Sequence, residues 1–367
     1  MSKPTPAPGR TPAHSPSVPR LSAYRRSGAD LPFSSLERWH GVAMEGYFWR
    51  FTDVAAGRSV IVLHGVNRPS ADSAEAWSTI GVASWPDGGL LTGAWPGAQA
   101  RVHQLGARNG SIFHGTDQRV TVDLEDRVHI DVEISEHQHW PSRLLGGSSV
   151  FQTVPALNQY WHPWLLGGRA DGVVEIDGTR YELDGAQAYG EKNWGRGGFP
   201  DSWWWGQAHG FTEPEASIAF AGGDVTAGPF RTEVTGLVVR LPDGTVMRLG
   251  NPGTSPVRAN VRDETWELSG RSARWQVDVH ATAPLGDAHV LPVPLPAERR
   301  NTAGAIEHLG GHLEVSVRQG RRDVWSGVTE LAGLEHGGLE RVEAELRRRG
   351  VPAGATDCPP VPPTARR

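Results

Sequence analysis

The chain has 367 residues, of which 46 are Gly, 28 are Pro and one is Cys, and its formal net charge is -5 at pH 7. That length can form one large domain or two ordinary ones around a sizeable core. The charge gives no reason to expect nucleic acid or an anionic membrane surface as a partner. The single cysteine excludes a disulfide framework within one chain, and no segment has the roughly 18 apolar residues that span a bilayer.

The two terminal segments predict disorder. Residues 1–30 are rich in Pro, Ser, Ala and Arg and lack the apolar region of a secretory signal. Residues 351–367 contain five prolines. Neither composition buries enough apolar surface to offset the entropy lost on ordering. Because there is one cysteine and no signal, we expect a cytoplasmic protein.

Between these segments, short runs of alternating apolar and polar residues predict an all-β fold. Asp177-Gly178 separates two such runs, and so does Pro242-Asp243-Gly244, which predicts two hairpins. The strands predicted in this way are 120–124, 128–134, 173–176, 179–183, 237–241, 245–249, 274–280 and 312–318. Short strands with turn signals between them are typical of a β-barrel or sandwich.

One helix is predicted at residues 336–350. Leu339, Val342 and Leu346 recur at helical spacing, acidic residues precede basic ones, and Gly350 provides a stop. Acidic residues early and basic residues late complement the helix dipole. We expect this helix to cap or cover one end of a barrel, and the alternative is a peripheral helix that binds a partner.

Tryptophan is concentrated in the middle of the chain. The sequence has 15 Trp, and the crowding is greatest between Trp140 and Trp205. If 203–211 is a strand, alternation places one large aromatic and polar set on a single face and small residues beside Trp204 on the other. The large set is Trp203, Trp205, Gln207, His209 and Phe211. Tyr189, Glu191 and Asn193 share a face of the preceding strand, so the sequence predicts a cavity with apolar walls and a few fixed polar groups.

This region resembles the tocopherol cyclase-like family and its carotenoid hydratase-type relatives. Their signature is similar to Tyr-x-Glu-Lys-Asn/Asp-Trp-Gly, then Phe-Pro, then Trp-x-Trp-x-Gln. The matching residues are Tyr189, Glu191, Lys192, Asn193, Trp194, Gly195, Phe199, Pro200, Trp203, Trp205 and Gln207. Looser matches extend the resemblance from about Leu36 to Glu335, and His209 stands where the family pattern has Asn.

The resemblance implies two lipocalin-like β-barrel halves, at residues 31–188 and 189–335, that hold a hydrophobic small molecule in or between them. It also implies a reaction of the tocopherol cyclase type, in which a prenylated aromatic or polyene closes a ring without redox change. Such a reaction needs a proton donor and a dry aromatic pocket that tolerates a carbocation. No cofactor is implied, and transient contact with a membrane would serve substrate access.

The candidate catalytic residues are Glu191 and His209. Burial would raise the pKa of Glu191 and make it an acid. The alternative is an ion pair with Lys192 or an Arg, and because alternation puts Lys192 on the opposite face, we expect any such partner elsewhere in the chain. His209 is a proton relay or a hydrogen-bonded structural histidine. The candidate substrate-binding residues are Tyr189, Asn193, Trp194, Trp203, Trp205, Gln207, Phe211, Glu45, Tyr47 and His162. The tryptophans stabilise a cation through their faces or are core packing, and Asn193 and Gln207 orient a phenol or the backbone.

His137 and His139 would share one face of a strand, which is the spacing of a metal pair. A third ligand would have to come from His162 or His209, and we expect no metal. Two alternatives to the enzyme stay open, namely a non-catalytic lipocalin-like carrier and a glycan-binding β-protein. A carrier needs the cavity alone, whereas a glycan binder needs Trp faces exposed in an open groove.

Overall fold

A computed structural model of the protein describes residues 42–70, 73, 75–100, 105–141, 145–154, 157–352 and 360–362. The tail predicted at residues 1–30 lies outside the described residues, as does most of the tail at 351–367. Within the second tail, Val361 is buried. Its N–H donates to the Arg299 carbonyl oxygen at 2.7 Å, so this short described piece packs against the body of the protein.

The described residues form two antiparallel sheets and one α-helix. The first sheet contains β1 (Met44–Asp53), β2 (Arg58–Asn67), β3 (Trp77–Trp85), β4 (Leu90–Pro96), β5 (Gln99–Ala100), β6 (Gly106–Asn109), β7 (Phe113–Thr116), β8 (Arg119–Leu124), β9 (Val128–His139), β10 (Gln159–Ile176) and β11 (Thr179–Gly195). The second contains β12 (Trp203–Ala208), β13 (Ser217–Ala227), β14 (Phe230–Arg240), β15 (Val246–Leu249), β16 (Val257–Val261), β17 (Thr265–Arg271), β18 (Trp275–Thr282), β19 (His289–Leu295), β20 (Arg300–Gln319) and β21 (Arg322–Gly337). The helix is α1 (Leu339–Arg348), and 3-10 turns lie at Ser149–Thr153, Leu285–Asp287 and Pro296–Glu298.

Each sheet curls around its own core. The first has the order β4-β3-β2-β1-β11-β10-β9-β8-β7-β6-β5, yet His64 of β2 stacks on Phe113 of β7 with 4.2 Å between ring centroids. The main path of the second is β15-β14-β13-β12-β21-β20-β18-β17-β16, and Leu249 of β15 packs with Leu268 of β17. The predicted all-β fold of two lipocalin-like halves is confirmed.

Both predicted hairpins are present. Ile176 of β10 pairs with Thr179 of β11 across the Asp177-Gly178 turn. These two turn residues have φ of 47° and 81°, which is the left-handed pair that a tight hairpin needs and that Asp-Gly tolerates. In the second hairpin Arg240 pairs with Val246.

The chain passes from one sheet to the other between Gly195 and Trp203. The boundary placed at residue 189 from the sequence falls inside β11, which pairs with β1 and β10 of the first sheet along its length. Residues 189–195 therefore belong to the first sheet and line the junction from that side. The family signature thus spans the end of one sheet, the crossing segment and the start of the other.

The predicted helix forms, but it begins at Leu339 rather than at 336, because His336 and Gly337 are still paired in β21. Val342 is fully buried and packs with Ile306 and Ala288. The helix thus covers the second sheet near the start of β20, as expected. No α-helix in the described part of the chain has the length and apolar composition needed to cross a membrane.

Candidate functional site

A cavity of about 170 Å³ lies between the two sheets. It is large enough for an organic molecule, since a single water needs only about 10–15 Å³. The first sheet contributes Gly46, Phe48, Leu63, Trp161, Glu191 and Asn193 to its walls, and the second contributes Trp203, Trp204, Trp205, Ala305, Glu307 and Glu335. The crossing segment adds Phe199 and Pro200. The walls are therefore mainly apolar, with several aromatic rings and with carboxyl groups on both sides.

Strand alternation decides which side chains reach the cavity. Phe48 of β1 is the register partner of Glu191 in β11, so both point to the same face of the first sheet. Tyr47 and Lys192, one residue along, are likewise partners on the opposite face. The edge of Phe48 meets the Trp205 ring of the second sheet at 5.1 Å between centroids, which identifies the face of Glu191 as the one between the sheets.

Glu191 is held by neutral donors alone among the described residues. Its Oε2 accepts hydrogen bonds from Trp161 Nε1 at 2.7 Å, Trp205 Nε1 at 2.7 Å and the Tyr189 hydroxyl at 2.6 Å. No described Lys or Arg forms an ion pair with it within 4.0 Å. The alternative of an ion pair with Lys192 or an Arg is therefore not found among the described residues, and Lys192 lies on the other face.

Two opposing effects act on the pKa of Glu191. Burial raises the pKa, and the three donors from Trp161, Tyr189 and Trp205 oppose that rise because they stabilise the charged form. An indole N–H can only donate, so Oε2 has to remain an acceptor. A proton on this carboxyl group therefore has to reside on Oε1.

A second carboxyl pair lies on the facing sheet. Glu307 of β20 and Glu335 of β21 are register partners, and both line the cavity. Trp203 Nε1 donates to Glu335 Oε1 at 2.5 Å. Burial raises the pKa of Glu335 to about 7, with Glu191 contributing by repulsion, and burial together with Glu335 raises the pKa of Glu307 well above its usual value.

Arg50 of β1 connects the two sheets above this pair. It is fully buried, and it donates from Nη1 to Gln207 Oε1 at 3.0 Å and from Nη2 to the carbonyl oxygens of Leu309 at 3.0 Å and Leu331 at 2.7 Å. Its charge partly offsets the rise in the pKa of Glu307. Three of its contacts are to the second sheet, so Arg50 fixes the relative position of the two halves.

Small residues make room for the polar and aromatic groups. A Cβ on Gly46 would lie 2.2 Å from Asn193 Oδ1, and a Cβ on Gly337 would lie 2.0 Å from Trp203 Cζ2. Either atom would displace its neighbour, because real Cβ contacts are longer. The glycines thus allow the Asn193 amide and the Trp203 indole to lie flat against the strands that form the walls.

The structure brings part of the predicted set together. Glu191, Asn193, Trp203 and Trp205 line the cavity. Tyr47 also borders it, but its hydroxyl lies on the other face of β1, at Glu45. Tyr189 contributes to it indirectly, through its hydrogen bond to Glu191. Of the remaining predicted residues, none is among those that line the cavity in the described chain, and these are His209, Trp194, Gln207, Phe211, Glu45 and His162.

His209 and Phe211 lie elsewhere because the strand ends early. β12 stops at Ala208, and Gly210 has φ of 79°, so the alternation assumed for 203–211 is lost. His209 Nε2 lies 3.1 Å from the Leu166 carbonyl oxygen, and burial lowers its pKa to about 4. Phe211 packs in the core of the second sheet. His209 is thus a neutral, hydrogen-bonded histidine, which is the structural alternative considered for it.

Glu45 belongs to a buried ionic cluster on the other face of β1. Its carboxylate lies 2.9 Å from Arg68 Nη1 and 3.6 Å from Lys192 Nζ, and the Tyr47 hydroxyl donates to it at 3.4 Å. Burial lowers the pKa of Lys192 to about 8, with Glu45 opposing that change. This cluster holds charges inside the first half and leaves the lysine of the signature a structural role.

Three other predicted residues also have structural surroundings. Trp194 stacks on Tyr160 at 5.4 Å between centroids. His162 meets the Trp140 ring edge at 5.1 Å, and burial lowers its pKa to about 3. Gln207 accepts from Arg50. Each of them supports a wall rather than forming it.

The metal pair suggested by His137 and His139 has no third ligand among the described residues. Their rings stack at 5.2 Å between centroids. His137 Nε2 lies 2.5 Å from the Asp117 carbonyl oxygen. Across the described ranges, no group of three or more His, Cys, Asp or Glu side chains is arranged to hold a metal ion.

The sequence interpretation missed Glu307, Glu335 and Arg50. A signal was present, because alternation gives Glu307 the apolar same-face neighbours Ala305 and Leu309. A charged residue in such a row is expected only where it is paired or functional. Pairing across β20 and β21 could not be read from the sequence, since it depends on which strands become neighbours.

The fold and the cavity define an all-β protein whose two curled sheets enclose an aromatic pocket bearing carboxyl groups. A family profile described as tocopherol cyclase-like matches residues 110–338, which is more than half of the chain. The protein belongs to the tocopherol cyclase-like family.

Individual relatives are more distant. The chain is 33% identical over 151 residues to a probable chloroplastic tocopherol cyclase of Oryza sativa subsp. japonica, covering 38% of this chain and 32% of that protein. It is 37% identical over 84 residues to a chloroplastic tocopherol cyclase of Zea mays, covering 22% and 18%. The chain thus matches about a third or less of these relatives' lengths. Both are chloroplastic by name, and the cytoplasmic location expected here stays a prediction.

The fold has a counterpart among solved structures. The crystal structure of CghA with Sch210972 superposes with a TM-score of 0.56 at 12% identity, covering 84% of this chain and 93% of that one. Identity at this level relates the two proteins by fold.

Proposed function

We propose that this protein is an enzyme that closes a ring in a prenylated aromatic or polyene without redox change, by intramolecular addition of a phenol to an alkene or a related cyclisation. The observation that carries the proposal is the Glu191 carboxyl group, which lines a tryptophan-walled cavity and is held by three neutral donors. A structural carboxylate at this burial would be paired with a cation. Membership of the family supports the same class of reaction.

The chemistry requires each part of this cavity. Addition of a proton to a trisubstituted alkene leaves a tertiary cation, which water would capture in an open site. The aromatic faces of Phe48, Trp161 and Trp205 attract such a cation. In this proposal Asn193, whose Oδ1 has no hydrogen-bond partner among the described residues, accepts from the phenol hydroxyl and keeps the phenol oxygen near the cation.

Glu191 is the central proton-exchanging group in this proposal. Its Oε2 is occupied by donors, so Oε1 is the atom that exchanges a proton with the substrate. Tyr189 and Trp205 keep the carboxyl group in one orientation, which lowers the entropy cost of reaching the transition state. General acid–base groups positioned in this way contribute about 100- to 10,000-fold to rate.

The experiment is turnover of a prenylated hydroquinone to its chromanol, followed by chiral chromatography. We expect activity in the native protein and a loss of about 100-fold or more in Glu191→Gln. Glu182→Gln is the matched control, because Glu182 lies exposed on the same strand, β11. Its turnover should equal that of the native protein.

The other two interpretations of the sequence give different results. A carrier would bind the prenylated hydroquinone and return it unchanged. A glycan-binding protein needs open tryptophan faces, whereas Trp203, Trp204 and Trp205 are 7%, 8% and 6% exposed. Binding without conversion across a panel of prenylated phenols would overturn the enzyme proposal in favour of the carrier.

A further inference from the structure

We infer that Glu307 and Glu335 form a second proton-transfer site in the cavity, in which Glu335 donates the proton that starts ring closure and Glu191 accepts the proton released at its end. This assignment rests on the proposed function and divides the acid and the base between the two sheets. Glu307 acts through Glu335 and is a positioning residue.

The geometry places all three carboxyl groups around one space. Glu307 and Glu335 are register partners on β20 and β21, and such partners have Cβ atoms about 5 Å apart on the same face. Trp205 of β12 is the register partner of Glu335, and its indole N–H donates to Glu191. Trp205 therefore lies between the two carboxyl sites, and Trp203, two residues before it, binds Glu335.

Two adjacent buried carboxyl groups cannot both be ionised at low cost. Arg50 is the cation whose charge reaches Glu307 most strongly, but its N–H groups are directed to Gln207, Leu309 and Leu331. The pKa of Glu307 is raised well above its usual value by burial and by Glu335. The pair consequently retains at least one proton at neutral pH.

The pKa of Glu191 is also raised by burial, but Glu191 has more hydrogen-bond donors opposing that rise than Glu335 has. Its three neutral donors all stabilise the carboxylate, whereas Glu335 receives one indole N–H from Trp203 and its pKa is raised to about 7. Titratable groups whose environments separate their pKa values are the usual acid and base of one reaction. A carboxyl group whose pKa lies near 7, as that of Glu335 does, is suited to donate a proton at neutral pH.

Protons are balanced over one turnover. The O–H bond of Glu335 breaks as a C–H bond forms at one alkene carbon, and the phenol oxygen adds to the cation at the other carbon to form the C–O bond. The phenol proton then passes to the Glu191 carboxylate. After the product leaves, Glu191 releases its proton to solvent and the carboxyl pair takes one up, so no proton is consumed.

The test compares Glu335→Gln, Glu307→Gln and Glu191→Gln in the full chain. In Glu335→Gln the amide oxygen still accepts from Trp203 but has no acidic proton, and we expect turnover of a prenylated hydroquinone to fall about 100-fold or more. The carboxyl groups of Glu307 and Glu335 interact through a hydrogen bond, and in Glu307→Gln the amide N–H can donate in place of the carboxyl group. That variant should keep turnover within about 10-fold of the native rate and retain the pH profile.

An infrared titration separates this inference from the proposed function. The carbonyl stretch of protonated carboxyl groups, measured without substrate at pH 7, should be present in the native protein and in Glu191→Gln. It should be weakened in Glu307→Gln and Glu335→Gln, because each removes a member of the proton-holding pair. Turnover in heavy water should place one deuterium at the alkene carbon.

The outcomes overturn different statements. A native protein that binds the prenylated hydroquinone without converting it refutes the enzyme proposal, whatever the infrared signal shows. A native protein that converts it, with Glu335→Gln within about threefold of the native rate, refutes the assignment of Glu335 alone. An unchanged carbonyl band in both Glu307→Gln and Glu335→Gln refutes the protonated pair.

Discussion

Glu45 and Glu191 are buried to similar extents on opposite faces of the paired strands β1 and β11, yet their partners differ in kind. Glu45 faces Arg68 and Lys192 inside the first half, whereas Glu191 faces two indoles and a phenol between the halves. An ion pair keeps a carboxylate ionised, so the group has a structural role. Neutral donors leave the proton exchangeable, so the same residue type becomes chemically useful on the other side of one strand pair.

The largest expected difference between the two sites is in the stability lost when each carboxyl group is replaced. Glu45→Gln leaves Arg68 and Lys192 buried beside a neutral group, and we expect it to cost about 3–5 kcal/mol of unfolding free energy. Glu191→Gln keeps an acceptor for its donors and should cost about 1 kcal/mol. Urea unfolding measures both. Equal losses would show that the two carboxyl sites do not differ in the way described.

Because His209 is buried as a neutral side chain, the protein should lose stability as the pH falls. Burial lowers the pKa of His209 from 6.5 to about 4, so the stability it contributes is present above pH 6.5 and is lost as pH falls toward 4. His209→Asn should remove this dependence, on the order of 2 kcal/mol across that window, while turnover persists.

Glu335 is the control for that titration, because its contribution to stability changes with pH in the opposite direction. Burial raises the pKa of Glu335 from 4.5 to about 7, so its contribution is fully present below pH 4.5 and is lost as pH rises through 7. Glu335→Gln should therefore make stability less dependent on pH at the upper end. A change at the acidic end would contradict the assignment. Stability against pH, measured by chemical unfolding at fixed salt, records both slopes.

Removing one hydrogen-bond donor from Glu191 should shift its pKa while leaving the carboxyl group in place. Trp205→Phe deletes a hydrogen bond that stabilises ionised Glu191, so the pKa of Glu191 should rise by about one unit. The limb of the pH–rate profile that reports Glu191 should move to higher pH. Trp325→Phe, which removes an indole N–H from Glu213 away from the cavity, should leave the profile in place.

The smallest effect is expected on ligand affinity, at Gly46 in the cavity wall. Gly46→Ala would place a Cβ 2.2 Å from Asn193 Oδ1 and so displace the amide, which we expect to weaken ligand binding by about 10-fold or less, or about 1 kcal/mol. Gly286→Ala meets nothing within 4 Å and is the control. Calorimetric titration with a chromanol measures both, and equal affinities would show that Asn193 does not contact the ligand.

Much of the fold follows from local sequence. Alternation in 120–124 and 128–134, the Asp177-Gly178 turn and the acid-to-base gradient of α1 are properties of neighbouring residues, and each formed as expected. Alternation also placed Glu191 and Lys192 on opposite faces. The signature residues located the junction because they lie at the end of one sheet and the start of the next.

Only the tertiary structure decided which residues meet across the junction. Glu307, Glu335 and Arg50 are distant from Glu191 in sequence, and their proximity depends on the pairing of β12 with β21 and of β20 with β21. His209 and Phe211 were placed wrongly because a turn at Gly210 ended the strand. Local periodicity determines the face of a strand, but the neighbour opposite that face, and hence the charge state of a buried carboxyl group, is set by the packing of the whole chain.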